Sequence, residues 1–248
     1  MRLSFLIAGV QKGGTTALYQ FLREHRQLFL PKRKELHFFD DETIDWSRPD
    51  YERLYHSHFA EAGPVQKCGE ATPIYSYWPP SMERIRAYNP DIKIVISLRD
   101  PRDRAYSHWR MEKARNVETL SFSEAIRQGR RRVGAGSEIR GYHRDFSYVE
   151  RGLYVEQLNR IFLLFPGKNV LLLDQRDLKS KHREVLDGIC DFIGVERFTT
   201  YPPAETVFSH RNEPIPAISA EDRAYLTGIF AEELHALNET YRIAFPLL

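Results

Sequence analysis

The stretch FLIAGVQKGGTTALYQFL, Phe5 to Leu22, decides the fold. A continuous apolar run of strand length, Leu3 to Val10, is the pattern of a parallel strand covered on both faces. A lysine, two glycines and two threonines follow, and then Ala17, Leu18, Phe21 and Leu22 recur at helical spacing, with Thr15 or Thr16 as the predicted N-cap. Such a strand–turn–helix unit aims backbone N–H groups and a helix N-terminus at one point, which attracts phosphate-like anions. The opening MRLSFLIAGV has the look of a short signal peptide, but no small-residue cleavage site follows and it runs straight into the glycine turn.

Further units of the same kind lie downstream. Ile92–Leu98 reads as a strand, Asp100-Pro101 as a turn and Arg102–Arg115 as a helix. Val170–Leu173 reads as another strand, with helical patterns before it (Tyr154–Phe165) and after it (His182–Ile193). Val65–Ala71 is a fourth candidate strand, and Ser219 opens an amphipathic helix that runs to Tyr241. Strands alternating with helices predict an α/β fold, a central parallel sheet flanked by helices, as one domain over residues 1–248. Arg127–Gly152, with seven arginines and five glycines and no apolar period, reads as a mobile loop: a solvated segment, or a lid that binds an acceptor.

Hydrophobic residues make up 42% and charged residues 28%, ordinary values for a globular chain, and the net charge is only +2. Nothing global therefore calls for nucleic acid or an anionic membrane, and no apolar stretch approaches the roughly 20 residues that span a bilayer. Cys68 and Cys190 fit neither a metal spacing nor a disulfide framework, which makes a reduced, cytoplasmic compartment the default.

The turn is not a nucleoside-triphosphate loop of the usual pattern. Four residues separate Gly9 from Gly14, but Thr15 stands where that pattern needs lysine, and Lys12 precedes the glycines instead. Asp174 is the best candidate for a magnesium ligand and has no supporting partner in the sequence; a dinucleotide fingerprint is absent. A P-loop kinase or nucleotide hydrolase is thus the weaker enzyme reading, and a non-catalytic nucleotide-binding module is the alternative outside enzymes.

Gly9-Val-Gln-Lys-Gly-Gly-Thr-Thr-Ala-Leu resembles the phosphosulfate loop of sulfotransferases that use 3′-phosphoadenosine 5′-phosphosulfate (PAPS), in the heparan sulfate N- and 3-O-sulfotransferase type. Three more segments follow in the family's order. KRKELHFFDDE (Lys32–Glu42) resembles its Lys-Glu-x-His-Phe-Phe-Asp segment, which implies Glu35 as catalytic base with His37 and Asp40 beside it. GEATPIY (Gly69–Tyr75) resembles Gly-Glu-Lys-Thr-Pro-x-Tyr, with Ala71 where the family often has lysine. ISLRDPRDRAYSHW (Ile96–Trp109) resembles the segment whose arginine and serine grip the 3′-phosphate, here Arg99 and Ser107.

The resemblance implies a P-loop-like sulfotransferase fold, PAPS as sulfuryl donor, no metal, and a carbohydrate or small-molecule acceptor. Lys12, Gly13, Gly14, Thr15, Thr16, Arg99, Ser107 and Arg211 are the implied cofactor-binding residues, with Lys12, Glu35 and His37 catalytic. Glu35, His37, Asp40 and Glu70 are the implied acceptor-side residues. Taken on residues alone, KELHFFD reads equally as a surface turn before core phenylalanines, and Arg99 as a partner for Asp100 or Asp103. The animal relatives carry a membrane anchor; the expectation for this chain is a soluble bacterial-type enzyme, with a trimmed lumenal catalytic domain as the alternative.

Overall fold

The computed structural model describes residues 2–135, 140–204 and 217–245. Five strands, β1 (Phe5–Gly9), β2 (Leu28–Phe29), β3 (Lys67–Ala71), β4 (Lys93–Leu98) and β5 (Val170–Asp174), form one sheet in the order β2-β3-β1-β4-β5. Every pairing is parallel. β1 and β4 are apolar and buried nearly throughout, as strands covered on both faces must be. β3 confirms the candidate strand at Val65–Ala71, trimmed to its last five residues. β2 has only two residues, too few to show any period in the sequence.

The chain leaves β1 toward β2 and β3 on one side and crosses to β4 and β5 on the other. The carboxyl end of β1 is therefore the switch point of the sheet, where open parallel sheets hold their ligands. The main helices are α1 (Thr15–Arg23), α2 (Pro79–Tyr88), α3 (Pro101–Ala114), α4 (Tyr154–Leu164), α5 (His182–Ile193) and α6 (Ala220–Tyr241). Leu18, Phe21 and Leu22 of α1 and Leu186, Ile189 and Cys190 of α5 pack with Phe5, Ile7, Ala71 and Val95 of the sheet in one buried cluster. Each fully buried aliphatic or phenyl side chain there contributes roughly 1.5–3 kcal/mol, which anchors α1 and the turn before it. Both cysteines are free and buried.

By packing, the chain forms two compact units. One runs to Leu98 and resumes at Leu158, so it holds the whole sheet; the other comprises Arg99–Gln157 and the C-terminal helix. In the second unit, Asp100 caps α3 through its side chain, which accepts from Arg102 N at 2.9 Å, and Pro101 supplies the preset φ of a first helical position. Ser219 caps α6 as expected, accepting from Asp222 N at 3.1 Å.

The arginine-rich stretch departs from the expected loop. Gln128–Arg130, Arg131–Ala135, Arg140–Asp145 and Glu150–Gly152 are short helical turns. Four of its arginines are tied down: Arg127 to Asp222 (2.5 Å), Arg130 to Glu150 (2.8 Å), Arg132 to the buried Glu118 (2.7 Å) and Arg151 to Ser147 Oγ (2.8 Å). Short helices of this length have no apolar period to read; Arg127, Arg130 and Arg132 are ion-pair partners within their unit, and Arg151 is hydrogen-bonded there. No helix among the described residues is long and apolar enough to cross a membrane.

Candidate active site

The turn after β1 is shaped by its glycines. Val10 N donates to Ser97 O (3.0 Å), Gly13 N donates to Val10 O (2.9 Å), and Ser97 Oγ donates to Gly13 O (2.6 Å), so the loop folds back onto β4. A Cβ on Gly13 would lie 2.2 Å from Ser97 O, and Gly14 has φ +87° with Leu178 Cδ1 at 2.7 Å from where its Cβ would be. Only glycine satisfies either position. Gly14 is also the N-cap of α1, with no side-chain cap, which corrects the expected threonine cap: the left-handed backbone that closes the turn does the capping geometry itself. Thr15 is buried and Thr16 exposed. With the Gly13 amide engaged, the first-turn amides of α1 are the donors the loop offers to an anion.

Backbone strain falls where the chemistry was expected. Five described non-glycine residues have positive φ: Lys12 (70°), Glu35 (60°), His37 (57°), Asn116 (58°) and Arg242 (57°). Arg242 is the C-cap of α6 and Asn116 follows the C-cap of α3, ordinary places for such a conformation. The other three end no helix and are the three residues expected to be catalytic. Each such residue costs about 1–3 kcal/mol, a cost retained where the surrounding structure dictates the conformation.

Glu35 N donates to Ala71 O (3.1 Å) at the carboxyl end of β3, and β3 is the neighbour of β1. Glu35 and the Lys12 turn therefore share one edge of the sheet, on adjacent strands. Tyr19 of α1 donates from its hydroxyl to Pro31 O (2.6 Å) and Lys32 O (3.0 Å), which fixes the approach to Glu35 against the helix that follows the turn. His37 stands between two carboxylates: Nε2 is 3.7 Å from Glu35 Oε2 and Nδ1 is 3.0 Å from Asp40 Oδ2. Lys34 Nζ contacts Glu35 Oε1 directly. Glu35 and His37 remain about two-fifths exposed, whereas the Asp40 side chain is fully buried.

These contacts set the charges. Burial disfavours the Glu35 carboxylate, but the His37 imidazolium and the Lys34 ammonium outweigh it and hold the carboxyl at about 2, from an ordinary 4.5. The hydrogen bond to Asp40, helped by Glu35 and opposed by burial, raises His37 from 6.5 to about 9. The cluster is thus ionised near neutrality. Its linkage has two signs. The raised His37 contributes stability that is full below about 6.5 and is lost as pH rises through about 9. The lowered Glu35 contributes stability that is full above about 4.5 and is lost as pH falls toward about 2. Thermal midpoints of His37→Gln should accordingly converge on those of the wild type between about pH 6.5 and 9, the wild type losing its advantage across that window. Parallel midpoint curves over that range would remove His37 from the ion cluster.

Asp40 and Glu70, implied on the acceptor side, are both buried. Glu70 is 1% exposed; its Oε1 accepts from Tyr55 OH (2.8 Å) and Tyr75 OH (2.9 Å), and its Oε2 from Thr72 Oγ1 (2.8 Å). Both acids are thus held by internal partners, Glu70 by three hydroxyls and Asp40 by His37. Tyr55 carried no sequence signal of this role, since a tyrosine among aromatic neighbours reads as core, and Tyr75 was marked only as the last residue of the GEATPIY segment. Asp174, the candidate magnesium ligand, pairs with Arg176 Nη2 at 2.5 Å.

In the second unit, Arg99 immediately precedes the Asp100 cap, and its carbonyl accepts from Tyr154 OH (2.8 Å). Asp100 is held by Arg102 (2.6 Å) and Asp103 by Arg223 (2.8 Å), so both acidic neighbours of Arg99 bind other arginines. Ser107 lies two turns into α3, half-buried. Tyr106 and Trp109, both half-buried, stack on each other at 5.7 Å and 15° and pack with Phe122. Arg211 and its neighbour His210 lie outside the described residues.

A glycine turn at the carboxyl end of the central strand of a parallel sheet, opening a helix, defines an α/β protein of P-loop-like class. The family model of the sulfotransferase domain matches residues 3–207, and the chain belongs to the sulfotransferase family. It is 31% identical over 221 residues to human bifunctional heparan sulfate N-deacetylase/N-sulfotransferase 3, covering 84% of this chain and 24% of that protein. It is 30% identical over 199 residues to human heparan sulfate glucosamine 3-O-sulfotransferase 6, covering 79% of this chain and 53% of that one. The chain thus spans between a quarter and about half of these relatives. A sulfotransferase from Alicyclobacillus acidocaldarius superposes with a TM-score of 0.82 at 26% identity, over 99% of this chain and 98% of that one. Mouse sulfotransferase SULT7A1 complexed with PAP shares the fold at a TM-score of 0.52 and 13% identity, over 97% of this chain and 88% of that one.

Proposed function

We propose that this sulfotransferase moves the sulfuryl group of PAPS to a hydroxyl or amine of a carbohydrate or small-molecule acceptor. The observation that carries the reading is the coincidence of left-handed backbone at Lys12, Glu35 and His37, with Glu35 bonded to the carboxyl end of β3, the strand next to the one that leads into the glycine turn. The turn fits a phosphosulfate: its glycines leave no room for side chains, and Lys12 and the first-turn amides of α1 supply positive charge and donors. When bound, PAPS supplies an activated sulfuryl group on a phosphate leaving group. Lys12 then neutralises the charge that grows on that phosphate, and Arg99 and Ser107 take the 3′-phosphate by charge-assisted hydrogen bonds.

Glu35 accepts the proton that the acceptor loses as it attacks. A carboxyl held at about 2 is always ionised near neutrality but is a feeble base. Ala71, buried in the core, stands where the heparan enzymes often have lysine, so acceptor contacts are made by other side chains.

Calorimetric titration with 3′-phosphoadenosine 5′-phosphate, ADP and ATP plus magnesium tests the donor without knowledge of the acceptor. The expected result is preference for the 3′-phosphorylated nucleotide by at least about tenfold, abolished in Arg99→Ala, since a charge-assisted contact contributes roughly 1.5–3 kcal/mol. Preference for ATP with magnesium would replace the proposal with a kinase, and binding of none of them with a non-catalytic module.

A further inference from the structure

We propose that the buried Glu70, acting with Tyr75, is the positioning residue that holds Glu35 and His37 in their left-handed conformations. This rests on the sulfuryl-transfer reading for its consequence, though not for its geometry. The main-chain donors of the Glu35–Phe39 segment end, with the exception of His37, on the short stretch from Glu70 to Tyr75. Glu35 N donates to Ala71 O (3.1 Å), Leu36 N faces the Glu70 carboxylate, and Phe38 N (3.1 Å) and Phe39 N (3.4 Å) donate to Tyr75 OH. Tyr75 OH passes the chain on by donating to Glu70 Oε1 (2.9 Å), and Tyr55 OH and Thr72 Oγ1 complete the shell of that carboxylate at 2.8 Å each.

Three hydroxyl donors thus converge on one buried carboxylate, with the Leu36 amide beside it. A carboxylate that only accepts can satisfy all of them, while an amide of the same shape turns an NH₂ toward at least one and leaves it opposed. The peptide is a template: β3 and the turn after it dictate the backbone of Glu35–Phe39, and the backbone in turn sends Glu35 toward Lys34 and His37, and His37 toward Asp40. The same two hydroxyls and carboxylate are wrapped in packed rings. Phe38 stacks on Tyr55 at 4.6 Å and Phe39 meets Tyr75 edge-on at 5.5 Å, so the template is rigid on its core side.

Two variants test this. Glu70→Gln reverses one acceptor at the hub, and Tyr75→Phe removes the hydroxyl that Phe38 and Phe39 donate to while keeping the ring. The readout is the His37 titration, followed by proton NMR of its imidazole C–H, alongside the thermal midpoint and 3′-phosphoadenosine 5′-phosphate affinity. The groups that face His37 are Glu35 and Asp40, with Lys34 behind Glu35, and all are left unchanged. Misplacing Glu35 and Asp40 should bring the His37 midpoint down from about 9 toward 6.5 in both variants, with nucleotide affinity retained and turnover reduced about 10²-fold. Glu70→Asp should recover part of both. If the midpoint stays at its wild-type value in folded Tyr75→Phe and in Glu70→Gln, the positioning role is refuted. If the wild type transfers no sulfuryl group, the functional reading fails, yet the His37 titration still decides whether the template exists.

Discussion

Glu35→Gln is expected to reduce sulfuryl transfer by about 10²–10⁴-fold while 3′-phosphoadenosine 5′-phosphate binds as before. Glutamine keeps the shape of the side chain and the Glu35 N to Ala71 O hydrogen bond, so the strained backbone at φ 60° is unchanged. What disappears is the carboxylate proposed to take the acceptor's proton, and with it the partner of Lys34 and one of the two anions beside His37. His37 keeps Asp40, so its midpoint should fall from about 9 without reaching 6.5. Transfer from radiolabelled PAPS to a panel of glucosamine-containing oligosaccharides measures the loss, and calorimetry measures the nucleotide. A variant that transfers at the wild-type rate would remove Glu35 as the base. A variant that loses nucleotide affinity in proportion would recast it as part of the donor site.

The second large effect is at Lys12. Lys12→Ala is expected to cost about 10²–10³-fold in turnover, the usual consequence of removing one preorganised group that meets developing charge. Alanine tolerates φ 70° no better than lysine, so the backbone strain is common to both and the difference isolates the ammonium. Lys12→Gly separates strain from charge. Relief of a left-handed non-glycine residue returns about 1–2 kcal/mol, against about 0.5–1 kcal/mol for the added freedom of glycine in the unfolded chain. Lys12→Gly should therefore melt no lower than Lys12→Ala while being equally inactive. A turnover near wild type in either variant would assign the leaving-phosphate charge to the first-turn amides alone.

These experiments bear on features with different origins. Where a local pattern is long enough to have a period, the sequence was legible. Leu3–Val10 and Ile92–Leu98 could only be covered strands, His182–Ile193 came out with the expected ends, and Ser219 capped its helix. The double glycine with Lys12 ahead of it separated this turn from a triphosphate loop, and the order of four segments carried the family. Those are properties of short stretches: side-chain periodicity, cap chemistry, and glycine where no Cβ fits.

Tertiary structure decided the rest. Thr15 and Thr16 both suit an N-cap, but the approach of Ser97 O and Leu178 to the glycines set the cap at Gly14. Glu70 read as a polar residue near an acceptor, yet Tyr55, Thr72 and Tyr75 satisfy it inside the core. The arginines of 127–152 read as an exposed basic stretch, and Glu118, Glu150 and Asp222 claim three of them. Nothing local makes Lys12, Glu35 or His37 adopt positive φ; isolated residues of these types avoid it. Hydrogen bonds to groups tens of residues away, such as Phe38 N to Tyr75 OH, impose it on Glu35 and His37. Local sequence thus specified the elements and the turn chemistry, because those depend on neighbours along the chain. The aim and charge state of the base depend on which distant donors and acceptors the fold brings against it, and only the folded chain settles that.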